Sequence, residues 1–241
     1  MPDKPKAIFC WSSGKDSALC LSRVLEEGQF EVCYLLTTVN DTFNRISMHG
    51  VREELLDLQA ASIGIPLLKV RVSEGTNEEY ERQMELTLAR VKSEGIEHVI
   101  FGDIFLEDLR EYRERNLAMI GMKAVFPLWK LNTGDLIRAF IDSQFEAIVC
   151  CTNDAFLGED WLGRKIDLSF LSDLPGNVDP CGENGEFHTF CFAGPVFKEP
   201  ICFSLGERIF RPLELKSVEV SSQQQVPVTR GFWYCDLLPV R

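Results

Sequence analysis

The chain has 241 residues and a formal net charge of -12 at pH 7, so it is acidic overall. This charge argues against a broad nucleic-acid surface, but it does not exclude a local basic patch. Hydrophobic residues make up 45% of the sequence, which is enough for the core of one large domain or two small ones. No stretch is as long as a membrane-spanning helix, and residues 1–6 lack the apolar region of a signal peptide. The composition therefore predicts a soluble cytoplasmic protein without a membrane partner.

The nine cysteines do not indicate a metal or redox site. No pair has the C-x-x-C spacing of a zinc site or a redox dithiol. Several cysteines lie inside apolar segments, where free thiols behave as small hydrophobic groups. The three histidines, His49, His98 and His188, are too widely spaced to form a helical pair of metal ligands.

The first predicted elements are a strand over residues 6–11 and a helix that follows it closely. Apolar residues recur at helical spacing from residue 18 onward, and Gly28 is a candidate C-cap for this helix. A tight polar loop joins the strand to the helix, and it consists of Ser12, Ser13, Gly14, Lys15, Asp16 and Ser17.

This strand–loop–helix arrangement predicts a phosphate site. The first N–H groups of a helix are free, and the helix dipole adds positive charge at that end. The serines add hydroxyl donors, Lys15 adds a full charge, and Asp16 could face a metal. The loop is not a Walker A motif, because Asp16 follows Gly14-Lys15 and Phe9 stands where that motif needs its first glycine. The alternative is that these residues only cap a helix, since Ser and Asp are preferred caps.

Strands and helices alternate as far as residue 126. We predict strands over residues 30–39, 67–72, 97–101 and 123–126, and helices over residues 51–63, 77–94 and 107–115. This alternation predicts an α/β fold with a doubly wound, mostly parallel sheet and right-handed crossovers. Ligands bind such sheets at the carboxyl ends of the strands. The polar loop, residues 37–39 and Gly102-Asp103 should therefore meet in one crevice, although Gly102-Asp103 by itself is also typical of an ordinary turn.

The character of the sequence changes near residue 127, and we predict two domains. Residues 1–126 form the domain with the phosphate loop, and residues 127–241 form a smaller α+β domain that binds substrate. The second domain starts with a helix over residues 134–143 and a strand over residues 145–152, and glycine- and proline-rich loops follow. The C-terminal tail contains β-like runs at residues 200–203, 208–210, 215–220 and 232–238, with a polar loop at residues 221–225.

A second polar cluster spans residues 179–189 and contains Glu183, Glu186 and His188. Gly182 and Gly185 lie between these side chains and give the backbone freedom to bend. Paired carboxylates on such a segment suit the binding of a cation or ammonia, or proton transfer. The alternative is that the acids are ordinary exposed groups of a surface loop.

Both clusters resemble motifs of one known family. Residues 12–17 resemble the SGGxDS pyrophosphate loop of N-type ATP pyrophosphatases, with Ser13 in place of the first glycine. Residues 182–187 resemble the G-E-x-G-E-[FY] signature of the diphthine–ammonia ligase family. Residues 48–50, 101–104, 127–129 and 154–158 agree with the same family, so the resemblance covers residues 6 to 200.

The resemblance implies a nucleotide-binding fold of the adenine nucleotide alpha hydrolase type and an ATP-dependent amidation with Mg²⁺. A carboxylate acceptor is adenylated with release of pyrophosphate, and ammonia then displaces AMP. By this resemblance Lys15 and Asp16 would act in catalysis, and Asp16 would orient the metal. The nucleotide site would comprise the loop residues Ser12 to Ser17 together with Thr38, Met48, His49, Gly102 and Asp103. Glu183, Glu186 and His188 would hold ammonia or the acceptor.

The sequence does not identify the carboxylate that serves as the acceptor. In archaea and eukaryotes the family acts on diphthine of translation elongation factor 2. Bacteria lack that modification yet carry similar proteins, and residues 11–13 and 181–189 resemble this bacterial branch. A homodimer is compatible with this reading. Two other functions are considered: a nucleotide sensor of the universal-stress type, and a tRNA-modifying adenylating enzyme. The first leaves the segment from Glu183 to His188 without a purpose. The second usually needs a catalytic cysteine pair and a basic surface, and this sequence has neither a C-x-x-C pair nor a positive net charge.

Overall fold

The computed structural model describes residues 4–47, 49–73, 76–213 and 229–240. Its first part contains one sheet and four helices. The strands are β1 (Lys6–Cys10), β2 (Glu31–Asn40), β3 (Arg45–Ile46), β4 (Leu67–Val72), β5 (His98–Ile100) and β6 (Lys123–Val125). The helices are α1 (Lys15–Glu27), α2 (Glu53–Ile63), α3 (Asn77–Ser93) and α4 (Glu107–Met119). The predicted alternation of strands and helices is confirmed.

Five parallel strands of this sheet lie side by side in the order β4-β2-β1-β5-β6. The short strand β3 pairs antiparallel with the end of β2. The chain builds the sheet outward from β1 through β2 to β4, and then returns to the other side of β1 with β5. The direction of growth therefore reverses between β1 and β5, which is the point where doubly wound sheets bind their ligands.

Both faces of the sheet are buried, as the continuous apolar runs of its strands require. On β1, Ala7 and Phe9 point into a core that includes Leu21 of α1 and Leu55 of α2. Ile8 points the other way, into a core that includes side chains of α3 and α4. This alternation places one pair of helices on each face, so the predicted doubly wound α/β fold is confirmed.

The second part of the chain is built around an antiparallel sheet with the strand order β8-β7-β10-β9. Its strands are β7 (Glu146–Asn153), β8 (Phe187–Ala193), β9 (Phe203–Pro212) and β10 (Gly231–Pro239). Two helices, α5 (Thr133–Asp142) and α6 (Leu168–Asp173), and a short 3-10 helix (Glu159–Trp161) accompany it. The expected run at residues 215–220 and the expected loop at residues 221–225 lie outside the described residues.

Strand β8 was not predicted, because the sequence interpretation assigned its start to the polar cluster around residues 179–189. The strand forms because its residues pair with β7 over most of the length of both strands. His188 is therefore a strand residue rather than a loop residue.

The two parts are joined by charged contacts. Arg45 of β3 and Arg52, the N-cap residue of α2, both bind the carboxylate of Asp236 on β10, at 2.9 and 2.6 Å. Burial by itself would raise the pKa of Asp236. The hydrogen bonds and charges of the two arginines outweigh this effect and lower the pKa to about 2. The position of the domain boundary at residue 127 stays a proposal. None of the helices in the described ranges has the length and apolar content that a bilayer crossing requires.

Candidate active site

A cavity of about 1170 Å³ opens at the carboxyl edge of the first sheet. It lies at the reversal point of the strand order and is also lined by the segment before β8 and the start of that strand. Most of the predicted site residues line it: Ser12, Lys15, Asp16, Ser17, Thr38, His49, Gly102, Asp103, Glu183 and His188. Ser13, Gly14 and Glu186 do not line it, and Met48 lies outside the described residues.

The polar loop has a closed internal hydrogen-bond pattern. The backbone N–H of Gly14 donates to Ser12 Oγ at 3.3 Å, and Ser12 Oγ donates to Ser17 Oγ at 3.1 Å. Ser17 Oγ in turn donates to the carbonyl of Gly14 at 2.9 Å. This ring of contacts shapes the entrance to helix α1, whose dipole makes that end favourable for anions.

Two glycines allow the backbone segments around the cavity to approach one another. A Cβ on Gly14 would lie 2.9 Å from His49 Cε1 and 3.2 Å from the carbonyl oxygen of Thr189. A Cβ on Gly102 would lie 3.4 Å from backbone atoms of Asp16 and Ser17. The end of β5 therefore packs directly against the loop, as the switch-point geometry requires.

Lys15 is the buried cation of the site. Only 3% of the residue is exposed, and its ammonium lies 2.8 Å from Asp16 Oδ2. The ammonium also donates to the carbonyl of Cys181 and lies 5.1 Å from the centre of the Phe187 ring. Burial alone would lower the pKa of Lys15, but Asp16, with smaller contributions from Cys181 and Glu183, more than offsets it, so the net shift is upward. Lys15 stays charged and is suited to hold a phosphate group.

Glu183 joins the polar cluster to the end of β5. Its Oε1 accepts hydrogen bonds from the backbone N–H groups of Ile104 at 2.8 Å and Phe105 at 3.3 Å. Burial is the main reason that the pKa of Glu183 is raised to about 7, and the nearby charge of Asp16 adds to it. A carboxyl group with such a pKa can both accept and release a proton near neutral pH.

Glu186, the second glutamate of the polar cluster, does not line the cavity. Its side chain is buried with 1% of the residue exposed, and it accepts hydrogen bonds from the backbone N–H groups of Asp179 and Asn184 at 2.9 and 3.0 Å. The side-chain amide of Asn184 donates to it as well. A direct contact of Glu186 with ammonia or the acceptor stays a prediction. The carboxylate holds the turn that presents Glu183.

The rings of His49 and His188 lie against each other in the cavity wall, with 4.6 Å between their centres. His49 Nδ1 lies 3.1 Å from the carbonyl oxygen of Thr189, so this nitrogen carries the proton when the bond forms. Burial lowers the pKa of His49 to about 4, and it also lowers the pKa of His188, to which the neighbouring His49 contributes further. Both rings are therefore neutral at pH 7.

Asp103 and Arg113 form an ion pair in the cavity wall. Arg113 Nε lies 2.7 Å from Asp103 Oδ2, and its guanidinium stacks 4.2 Å above the Phe101 ring. Burial raises the pKa of Asp103, and the charge of Arg113 counters this only in part. Arg113 lines the cavity, whereas Arg115 does not and lies beside Tyr112. Both arginines belong to the charged helix α4, so the sequence alone does not show which of them reaches the cavity.

Two residues that contact the polar loop were given no role from the sequence. Thr189 Oγ1 accepts a hydrogen bond from the backbone N–H of Lys15 at 3.0 Å. Gln59 of α2 is fully buried and donates to the carbonyl of Ser13 at 3.1 Å. The available signal for Gln59 was its spacing, since it lies four residues after Leu55 on the apolar face of the helix, where a polar side chain needs a partner.

A magnesium ion fits the donor set at this edge. Mg²⁺ prefers oxygen ligands, keeps several waters, and is usually held by one or two carboxylates together with substrate phosphates. Asp16 is a partly exposed carboxylate at the phosphate end of α1. Within the described ranges no group of three or more His, Cys, Asp or Glu side chains is arranged to hold a metal.

Comparison with known proteins agrees with this geometry. Family models of the diphthamide synthase N-terminal and C-terminal domains match residues 5–124 and 132–217. The diphthine–ammonia ligase of Rattus norvegicus is 29% identical over 223 residues, which covers 82% of each chain. That of Danio rerio is 27% identical over 222 residues and covers 82% of this chain and 86% of its own. The human protein of the same name is 26% identical over 222 residues, covering 81% of this chain and 82% of its own. The chain therefore belongs to the diphthamide synthase family, a family of enzymes that includes these diphthine–ammonia ligases.

Proposed function

We propose that this protein is an ATP-dependent ligase that makes an amide from a carboxylate and ammonia. The observation that carries the proposal is the single cavity shared by the polar loop, the end of β5 and Glu183. The loop supplies an anion site, and Glu183 supplies a carboxylate that titrates near neutral pH. The family relationship supports ligase chemistry with ATP.

In the first step, an oxygen of the acceptor carboxylate attacks the α-phosphorus of ATP. The bond between the α-phosphorus and the bridging oxygen breaks, and pyrophosphate leaves with the electron pair. Lys15, Ser12, Ser17 and the first backbone N–H groups of α1 bind the pyrophosphate and stabilise its negative charge. Asp16 would hold Mg²⁺, which neutralises phosphate charge when bound. Arg113, the other permanent cation among the described lining residues, would bind the α-phosphate or the acceptor carboxylate.

In the second step, ammonia attacks the carbonyl carbon of the acyl-adenylate. The carbon–nitrogen bond forms, the bond from carbon to the adenylate oxygen breaks, and AMP leaves. The nitrogen loses one proton in the process, and Glu183 accepts it because its pKa lies near 7. Glu186 keeps Glu183 in place through the turn between them. His49 and His188 stay neutral and would present nitrogen lone pairs to ammonia without repelling ammonium.

The test is the fate of the acceptor oxygen. The protein is incubated with ATP, Mg²⁺, ammonium and carboxylates that include diphthine-containing elongation factor, with one carboxylate labelled with ¹⁸O. Amide formation through an adenylate transfers one labelled oxygen to AMP and releases pyrophosphate. ADP and phosphate as products of that turnover would contradict the proposal. Tight binding of ATP without release of pyrophosphate in the presence of any tested acceptor would favour the nucleotide-sensor alternative.

A further inference from the structure

The peptide between Ser13 and Gly14 adopts a conformation that the loop does not stabilise by itself. Ser13 has a φ of 72°, which lies in the left-handed region that residues other than glycine rarely adopt. Its side chain is fully buried, and its hydroxyl has no hydrogen-bond partner in the described part of the chain. A strained residue of this kind persists only where the surrounding structure holds it in place.

Two hydrogen bonds from outside the loop hold the carbonyl group of Ser13. The backbone N–H of Cys191 on β8 donates to it at 2.9 Å, and the side chain of Gln59 donates to it at 3.1 Å. A trans peptide is planar, so the N–H of Gly14 must point away from this carbonyl. That N–H donates to Ser12 Oγ, which lines the cavity. Holding the carbonyl therefore also fixes the direction of the Gly14 N–H, which points to Ser12 Oγ at the cavity wall.

The side chain of Gln59 forms hydrogen bonds with the end of β1, the polar loop and β8. Its Oε1 accepts a hydrogen bond from Trp11 Nε1 at 3.0 Å, at the end of β1. Its Nε2 donates to Ser13 and also to the carbonyl of Cys191 at 2.6 Å. The amide is therefore fully used, although no part of the side chain reaches solvent or lines the cavity. A buried amide is costly without such partners, so its presence on the apolar face of α2 points to a role in geometry.

We propose that Gln59 is a positioning residue that fixes the Ser13–Gly14 peptide and, through the hydrogen bond from the Gly14 N–H to Ser12 Oγ, orients the Ser12 hydroxyl toward the phosphate groups of the nucleotide. The inference rests on the proposed function, because it requires phosphates in the cavity. Gln59 touches no substrate and acts only through the loop. Support from Gln59 also explains how the loop keeps its shape with serine at position 13, where the related pyrophosphate loops have glycine.

The test uses the full-length protein with Gln59→Leu and, as a second variant of unbranched shape, Gln59→Met. Both remove the amide and keep a side chain of similar length. Affinity for Mg-ATP and for Mg-pyrophosphate is measured by calorimetry at a temperature where circular dichroism shows each variant folded. We expect affinity to fall about tenfold in both variants. The matched control is Thr152→Val, which removes a buried hydroxyl that donates to the carbonyl of Gly158 and touches no loop residue.

A double-mutant cycle separates positioning from a general loss of stability. Ser13→Gly removes the strain of the positive φ, so it should restore at least threefold in affinity to Gln59→Leu and change the parent protein less than that. Equal affinity of Gln59→Leu, Gln59→Met and the parent would overturn the inference, as would an equal loss in Thr152→Val or no coupling with Ser13→Gly. A parent protein that binds neither ATP nor pyrophosphate would overturn the proposed function itself.

Discussion

Thr189 Oγ1 lies 3.0 Å from the backbone nitrogen of Lys15 and accepts its hydrogen bond. Lys15 is the first residue of α1, and the N-cap position before it is Gly14, which has no side chain to cap the helix. The first N–H groups of a helix need partners from outside the helix. Strand β8 of the second sheet thus supplies the cap that the loop lacks, and it ties the proposed phosphate site to the second part of the chain.

We expect Thr189→Val to weaken this cap. Valine has nearly the shape of threonine but no acceptor, so the N–H of Lys15 would lose its partner in a buried place. The free energy of unfolding should fall by about 1–2 kcal/mol in urea titrations, and Mg-ATP affinity should fall with it. Thr189→Ser keeps the hydroxyl and should retain most of both. Equal behaviour of the valine and serine variants would show that the cap does not matter.

Asp16→Ala should weaken the binding of Mg-ATP by tenfold or more, about 1.4 kcal/mol. The reason is that Asp16 is the carboxylate of the loop in the cavity lining and the proposed ligand of Mg²⁺. Isothermal calorimetry with and without Mg²⁺ measures the effect. Asp135→Ala is the control, because Asp135 also lies in the first turn of a helix but outside the cavity lining. Unchanged affinity in Asp16→Ala would contradict the assignment of the loop.

Glu183→Gln should slow amide formation at least a hundredfold, about 2.7 kcal/mol of barrier, while Mg-ATP still binds nearly normally. The same change should raise stability at high pH. The folded protein holds the Glu183 proton up to about pH 7, whereas the unfolded chain releases it near the ordinary value of 4.5. Stability contributed by this group is therefore present below pH 4.5 and is lost as the pH rises through 7.

Thermal unfolding of Glu183→Gln and the parent protein at pH 8 and pH 5 checks this sign. The variant should be the more stable of the two at pH 8, and the difference should shrink toward pH 5. Glu186→Gln serves as the comparison, because Glu186 accepts hydrogen bonds from two backbone N–H groups. It should lose stability and amide formation together. A Glu183→Gln variant that is less stable than the parent at pH 8 would argue against the buried carboxyl group described above.

The two facing histidines should make the protein sensitive to acid. The pKa values of His49 and His188 are lowered by burial, so the folded state keeps them neutral while the unfolded chain binds protons below pH 6.5. Their contribution to stability is therefore present above pH 6.5 and is lost as the pH falls toward 4. The double variant His49→Gln, His188→Gln should lose less stability between pH 7 and pH 5 than the parent in urea titrations. A parallel pH dependence of the two proteins would contradict burial of the pair.

The sequence by itself determined the five parallel strands of the first sheet and the loop, whereas the short strand β3 was not predicted. Strands, helices and the left-handed cap at Gly28 follow from local apolar spacing and from residues whose backbone preferences are strong. The reversal between β1 and β5 then places Ser12 to Ser17 beside Gly102, because parallel strands end at one edge. These relationships are short in sequence or fixed by the handedness of the connections, so a pattern in one chain is sufficient to find them.

Only the tertiary structure decided which polar side chains face the cavity. Glu183 and Glu186 are alike in sequence, yet one carboxylate reaches the end of β5 and the other is buried beneath its own turn. Thr189 and Gln59 act on the loop from strands and helices far away in sequence. Such pairings depend on how two sheets pack, and packing is set by the whole set of buried contacts, which no local pattern encodes.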